Sequence, residues 1–332
     1  MPPTRSTLYR RLSASVRQRI LFLVVGNLLL LGFIFLQTQG NARGSFRDEL
    51  ARFGPNVAPH VLAGIGLTGV IFTGAIDLSI GAIIVVAATV FGILYEQGAS
   101  PSVCFAACYL TAAGLSVTNG CLIRLLGIPA IIVTLAGLAF YRGFARVLAD
   151  WSLEGFAGQI SVQQDAFHTP GRDYAGWILL VALTVALVWE AYGKLPRTWL
   201  ALGSSATACR LKGMHPGRVL QSAFTSSGLF LGLAALTFTT NQLTIEPTRI
   251  ARNFELDVIG GVVLGGTNIF GGEGSFAGTA LGVAFLYLVG QTMLYAGVSE
   301  YWRTAIQGAV IVTVIGFDCA MHRRRKLLEE LK

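Results

Sequence analysis

Val57–Tyr95 reads VAPHVLAGIGLTGVIFTGAIDLSIGAIIVVAATVFGILY, an apolar stretch of 39 residues interrupted only by His60 and Asp77. As one helix it would run to about 58 Å, roughly twice the thickness of a bilayer's hydrocarbon core. The stretch is therefore read as two spans joined by a tight turn, with Gly74-Ala75-Ile76-Asp77-Leu78-Ser79-Ile80-Gly81 as the break. An ionised Asp at the centre of a bilayer costs about 2.5–3.5 kcal/mol on insertion scales. Asp77 accordingly belongs at a helix break or against a polar cavity. Asp caps helix N-termini well, and glycine permits the bend. Two compatible readings follow: a cap on the third helix, and a polar group, with Ser79 beside it, bordering a transport route.

The rest of the chain has the same character. Charged residues are 13% of the 332, against about 25% in soluble domains, and apolar residues are 53%. Mean hydropathy is +0.63. This composition excludes a soluble enzyme, a disordered chain and a disulfide scaffold. It predicts an all-α polytopic membrane protein, one transmembrane domain over 1–332. The expected spans, besides the two above, are Leu21–Ala42, Gln97–Ile123, Leu125–Tyr141, Tyr174–Trp189, Val219–Ile245, a short Gly-rich Val258–Gly272, Gly274–Ser299 and Thr304–Phe317. That makes about ten, which puts both termini on one side. The first is read as an uncleaved helix, because a signal peptide has a shorter apolar core and a small-x-small cleavage site. Sixteen of the 25 Lys and Arg fall on that side: Arg5, Arg10, Arg11, Arg17, Arg19, Arg124, Lys194, Arg197, Arg210, Lys212, Arg218, Arg323, Arg324, Arg325, Lys326 and Lys332. The bilayer sorts cationic residues to the cytoplasm, so the reading is N-in and C-in, with basic cytoplasmic tails over 1–19 and 320–332. The net charge of +8 is thus topology in a membrane lipid setting, not a nucleic-acid footprint.

Chemistry-bearing patterns are sparse. Cys104, Cys108, Cys121, Cys209 and Cys319 have no clustered His, Asp or Glu, and His60, His168, His215 and His322 are scattered. No metal site, cofactor or catalytic residue is expected. A phosphate-binding loop needs Gly-Lys followed by Ser or Thr, and here Gly193-Lys194 is followed by Leu195. Two polar or Gly-rich stretches stand out. Ala201–Val219 lies on the positive side between spans. It follows Pro196, which is expected to break a preceding helix, and reads either as a solvated loop or as a short docking helix whose small residues seat in a partner's groove. Gly260–Ser275 carries Gly265, Gly266, Gly271 and Gly272, read as close helix packing or irregular backbone inside the protein.

Taken together, these stretches resemble the permease subunits of ribose-type ABC sugar importers. The resemblance runs in order through residues 74–81, then Asn119-Gly120-Cys121-Leu122-Ile123, Ile128–Leu135 with Arg142-Gly143, then Ala201, Gly203, Ala208, Arg210 and Gly213, and finally Leu256–Ser275. It covers about residues 60–315. Departures are Ala75 for a Gly, Ser205 and Cys209 for Asn and Ala, Lys212 for a small residue, Val258 for Ala, and Gly260-Gly261 for small aliphatics.

The resemblance implies a subunit of a bacterial inner-membrane importer that does no covalent chemistry. It works as a homodimer or beside a sister permease. A separate ABC ATPase docks beneath it, and a periplasmic solute-binding protein delivers a sugar or sugar-like solute from above. On this reading 190–218 is the cytoplasmic coupling loop, with Ala201, Gly203, Ala208, Arg210 and Gly213 as ATPase-coupling residues. Asp77, Ser79, Asn119 and Thr134 are candidates for the translocation path or a helix break. The alternatives are a branched-chain amino-acid ABC permease, whose Gly-rich tract tends to end in L-S-L-G-H where this chain has IDLSIG, and an ion-coupled secondary transporter. The last is disfavoured because Asp77 reads as the one deep acid and has no basic partner in the sequence.

Overall fold

The computed structural model describes residues 5–38, 46–152 and 159–299, with isolated positions between 302 and 316. Twelve α-helices carry it: α1 (Arg5–Thr38), α2 (Phe46–Phe72), α3 (Ile80–Glu96), α4 (Pro101–Leu126), α5 (Ala130–Ser152), α6 (Thr169–Arg172), α7 (Ala175–Tyr192), α8 (Lys194–Ser204), α9 (Ala206–Leu211), α10 (Pro216–Thr240), α11 (Phe254–Leu264) and α12 (Phe276–Tyr295). Two short strands, β1 (Ile160–Ser161) and β2 (Thr244–Ile245), pair antiparallel with Ile160 opposite Ile245. Among the described residues seven helices are long and apolar enough to cross a membrane: α1, α2, α4, α5, α7, α10 and α12.

α2 is the axis. Most of its apolar window is buried, although it is no greasier than its neighbours. α10 packs most extensively on α4 and α2, while α12, α7 and α11 complete the ring around α2. α3 lies against α4 and α5, and α1 rides outside on α12. The peripheral helices show bare apolar faces, among them Leu28, Leu29 and Leu36 of α1 and Val181, Val185 and Val188 of α7. Such faces are the expected surface where the solvent is lipid.

Small residues set the close approaches, as they do where lipid provides no hydrophobic drive between helices. Gly261 and Gly265 of α11 and its C-cap face Gly278 and Gly282 of α12, backbone on backbone: a Cβ on Gly265 or Gly278 would strike the other's peptide. A Cβ on Gly228 of α10 would meet the Ala113 carbonyl of α4 at 2.7 Å, and one on Gly232 the Tyr109 ring at 2.7 Å. Thr68 and Thr279 add a buried hydroxyl pair at 2.6 Å between α2 and α12.

Several expected boundaries shift. Val57–Tyr95 does divide in two, at Thr73–Ser79, where Gly74 takes φ +81°. The first span is helical as far as Thr38, and its expected end at Ala42 lies outside the described residues. The fifth begins at Ala130, after a left-handed Gly127 stops α4, and runs past Tyr141 to Ser152. A search for charge-free windows ends it too early, because Arg142 and Arg146 are paired, to Glu255 and Asp150. The eighth is no crossing by itself: α11 has 11 residues, about 16 Å, and residues 265–275 are irregular backbone. The tenth, Thr304–Phe317, and the C-terminal tail 320–332 fall outside the described residues apart from isolated helical positions. Pro196 does not end a helix. The break falls at Gly193, and Pro196 sits buried in the first turn of α8, where its missing N–H is harmless.

Candidate functional site

The α2–α3 break brings together all four residues singled out for the path or the break. Asp77, Ser79 and Thr134 are fully buried and Asn119 nearly so. The Ser79 amide and hydroxyl both donate to Asp77 Oδ1, at 2.8 and 2.6 Å. Asn119 Nδ2 of α4 donates to Ser79 Oγ at 2.8 Å, and the Tyr141 hydroxyl of α5 donates to Asn119 Oδ1 at 2.8 Å. Thr134 Oγ1 donates to the Ile76 carbonyl at 3.2 Å. Donors thus run one way, from Tyr141 through Asn119 and Ser79 to the carboxylate, and tie α4 and α5 to the break. Asp77 is not the cap of α3. Ser79 holds the N-cap position, and the Asp77 side chain closes the turn before it. Asp77 Oδ2 is sealed from solvent without a hydrogen bond among the described residues. Tyr141 was not among the expected residues. Its place two turns on from Thr134, on the same face of α5, was the available signal.

The segment 190–218 folds as α8, α9 and the entry to α10. α8 is anchored. Trp199 is buried, its ring centroid 5.2 Å from that of Trp189, and its indole N–H donates to Ser222 Oγ at 2.9 Å. Gly203 is part of this anchor and not of a free docking face. A Cβ there would collide with the Phe72 carbonyl at the end of α2, and it would come within 2.5 Å of the Gly272 amide. α9 is different. Ser205, the residue that departs from the family's Asn, is its N-cap and accepts from the Ala208 amide at 3.1 Å. Gly213, at φ +75°, follows its end. Ala206, Thr207, Ala208, Arg210 and Lys212 are exposed, as is Leu211, while Cys209 alone is buried. Of the five expected coupling residues, Ala208, Arg210 and Gly213 lie on this exposed element, and Ala201 and Gly203 lie in the anchor.

The glycines at 265–272 divide likewise. Gly265 belongs to the α11–α12 seam, and Gly266 faces Arg19. Gly271 and Gly272, at φ +88° and +80°, press on Gly74 and on Ser204 of α8, and the Gly272 amide donates to the Phe72 carbonyl at 3.1 Å. The α2–α3 break, the Gly-rich loop and the anchored helix therefore form one continuous backbone contact. At the opposite end, around β1 and β2, an open cleft of about 800 Å³ is lined by Asp48, Arg52, Asn56, Gln163, His168 and Arg172 among others.

Asp77 is not the only deep acid. Glu255, in the first turn of α11, is 8% exposed and pairs with Arg142 of α5, Nη2 to Oε2 at 3.6 Å. In the sequence nothing local distinguishes Glu255 from an acid that complements a helix dipole in its first turn.

The profile of the family described as branched-chain amino acid transport system / permease component matches residues 55–315. The autoinducer 2 import system permease protein LsrC of Escherichia coli (strain K12 / DH10B) is 30% identical over 275 residues, 79% of this chain and 78% of its own length. The ribose import permease protein RbsC of Bacillus subtilis (strain 168) is 30% identical over 269 residues, 79% of this chain and 82% of its own. LsrC of Photorhabdus laumondii subsp. laumondii is also 30% identical, over 271 residues.

Proposed function

Because the chain belongs to the branched-chain amino acid transport system / permease component family, we propose that it is the membrane-embedded subunit of an ATP-driven importer for a sugar or sugar-like solute. The observation that carries this reading is likeness, along 79% of the chain, to permeases that import autoinducer 2 and ribose. The permease itself is not an enzyme. ATP is hydrolysed on a partner ATPase, which docks on α9, and a solute-binding protein docks at the opposite end, over the polar cleft. Two permease copies, or this chain and a sister, enclose the path. The protein is a multi-pass component of the bacterial inner membrane.

The topology follows. Ten crossings are proposed, counting α11 with its irregular continuation as one and residues 304–317 as the last, with both termini in the cytoplasm. In support, Arg19, Arg124, Lys194, Arg197, Arg210, Lys212 and Arg218 belong to the α8–α9 end, while Asp48, Asp165, Asp173 and Glu246 mix with basic residues at the ribbon end.

The test is uptake of labelled D-ribose and of L-leucine by membranes holding the complex with its ATPase and binding protein. Sugar uptake that needs ATP and survives collapse of the proton gradient is the expected result. Uptake that ignores ATP and dies with the gradient would make this an ion-coupled carrier. ATP-dependent uptake of leucine but not sugar would move it to the amino-acid branch.

A further inference from the structure

Arg142 is the thirteenth of the 23 residues of α5, so it lies roughly 18 Å from one end of that helix and 15 Å from the other. In a helix long and apolar enough to cross a membrane, that is mid-span. Its partner Glu255 opens α11, a helix too short to cross, whose approach from β2 is irregular backbone. Two non-glycine residues of that approach hold positive φ, Ala251 at +49° and Asn253 at +58°. Arg142 Nη2 donates to the Ala251 carbonyl at 2.8 Å while facing Glu255 Oε2 at 3.6 Å. Glu255 Oε2 is buried and has no hydrogen bond among the described residues. Its approach to α3 exists only because residue 81 is glycine: a Cβ on Gly81 would overlap that same oxygen.

Each feature is costly, and the costs converge on one point. Ionisable residues at this depth face a protein interior or a watery cavity. Irregular backbone is tolerated there only when buried or lining such a cavity. Left-handed non-glycine residues persist where the surroundings over-determine them, and they cluster at functional sites. A purely structural ion pair would close its hydrogen bonds; this one leaves the buried Oε2 without one among the described residues. The Arg142 side chain keeps 27% of its surface exposed. Glu255 keeps 10% of its side chain exposed beside it, so the pair offers guanidinium donors and a carboxylate acceptor side by side with no net charge. That is the complement of adjacent hydroxyls on a neutral solute, one donating to Glu255 and the other accepting from Arg142. An anion or a cation would meet one partner and be repelled by the other.

We propose that Arg142 and Glu255 form a mid-membrane contact site for a neutral, polyhydroxylated solute, with Gly81 as the positioning residue that admits the carboxylate. The proposal rests on the permease reading, and its tests are separable from it. In the assembled complex, Glu255→Cys is exposed to a small, charged, water-borne thiosulfonate, against the unsubstituted complex as background. Labelling that changes rate when ATP is added is expected, whatever solute the complex carries. No labelling with or without ATP would show the position sealed from the path and overturn the site while leaving the permease reading intact.

In the second arm Arg142→Gln and Glu255→Gln complexes, matched for membrane abundance and ATPase co-purification, are assayed with D-ribose and 2-deoxy-D-ribose. Ribose imported per ATP hydrolysed should fall about ten-fold, the loss of one hydrogen bond to a charged group, and the deoxy sugar should lose less. Equal losses for both sugars would assign the pair a structural role and overturn the proposal. Should single variants fail to accumulate, Arg142→Glu with Glu255→Arg restores neutrality and carries the same comparison. Wild-type complex that takes up neither sugar would count against the permease reading, and the labelling arm then decides the site alone.

Discussion

At the residue scale the fold depends on a few polar groups that have no water to fall back on. Apart from Asp77 Oδ2, the chain Tyr141–Asn119–Ser79–Asp77 finds its partners among its own members, so removing one member leaves others unpaired in a dry interior. An unpaired buried polar group costs about 1–3 kcal/mol, more than the net value of the hydrogen bond it made. Tyr141→Phe deletes the terminal donor alone and should cost about 1 kcal/mol. Asn119→Leu strands the Tyr141 hydroxyl and removes the hydrogen bond that Ser79 Oγ accepts, and should cost about 2–4 kcal/mol. Thermal unfolding of the purified protein in detergent orders the two; equal losses would mean that the chain is not a cooperative unit. Three of its four members were legible in the sequence, because Asp, Ser and Asn inside apolar runs are conspicuous. Tyr141 was not, since a tyrosine in an apolar helix gives no sign of where its hydroxyl ends. Glu255 was hidden for a related reason: what marks it is Arg142, 113 positions away in the chain, and no local pattern joins them.

At the element scale, α8 and α9 are adjacent and do opposite things. Both are short, and the sequence presents them as one stretch of small and basic residues. The structure separates them by burial. Gly203 is wedged between the end of α2 and the Gly-rich loop, so Gly203→Trp should overpack the interior, at about 1–3 kcal/mol or more, and lower the amount of protein in the membrane. Ala208 is exposed on a capped helix, so Ala208→Trp should leave abundance unchanged and weaken pull-down of the ATPase. The informative result is the contrast: reduced abundance in both, or intact ATPase recovery with Ala208→Trp, would remove α9 as the docking element. Ser205→Ala should cost α9 about 1 kcal/mol of helix stability and loosen the ATPase partway. Arg210→Ala and Lys212→Ala should matter less, because exposed ion pairs contribute about 0–1 kcal/mol. The glycine seam of α11 and α12 is a second such element. The run at 265–272 announced close packing, but Gly278 and Gly282, which supply the other half of the contact, sit in an ordinary apolar helix and were legible only as spacing four apart.

At the scale of the whole molecule, apolar length locates the seven helices that are long and apolar enough to cross a membrane among the described residues, and its boundary errors have one origin. Windows without charge mark where a chain must avoid water, whereas helices end where backbone geometry or a partner ends them. Thus α5 continues through Arg142 and Arg146, which are paired, and the eighth stretch breaks at Leu264, because Gly266 at φ +94° turns the chain and Gly271 brings it against Gly74 of the α2–α3 break. The depth at which α11 begins could not be read from composition at all; it is fixed by contacts with α3 and α5. What composition does bear on is sidedness. Alternating crossings put Gly98, in the turn between α3 and α4, at the ribbon end, and Lys212, after α9, at the basic end. The cationic excess on the α9 side supports the proposed orientation, with that end cytoplasmic. Reporter fusions at Gly98 and Lys212 should therefore report opposite compartments, with Lys212 inside. A fusion at Lys332 should agree with Lys212 if residues 304–317 cross once more. Agreement between Gly98 and Lys212 would contradict the alternation itself, and a Lys332 fusion on the outside would reduce the crossings to nine and separate the two basic tails across the membrane.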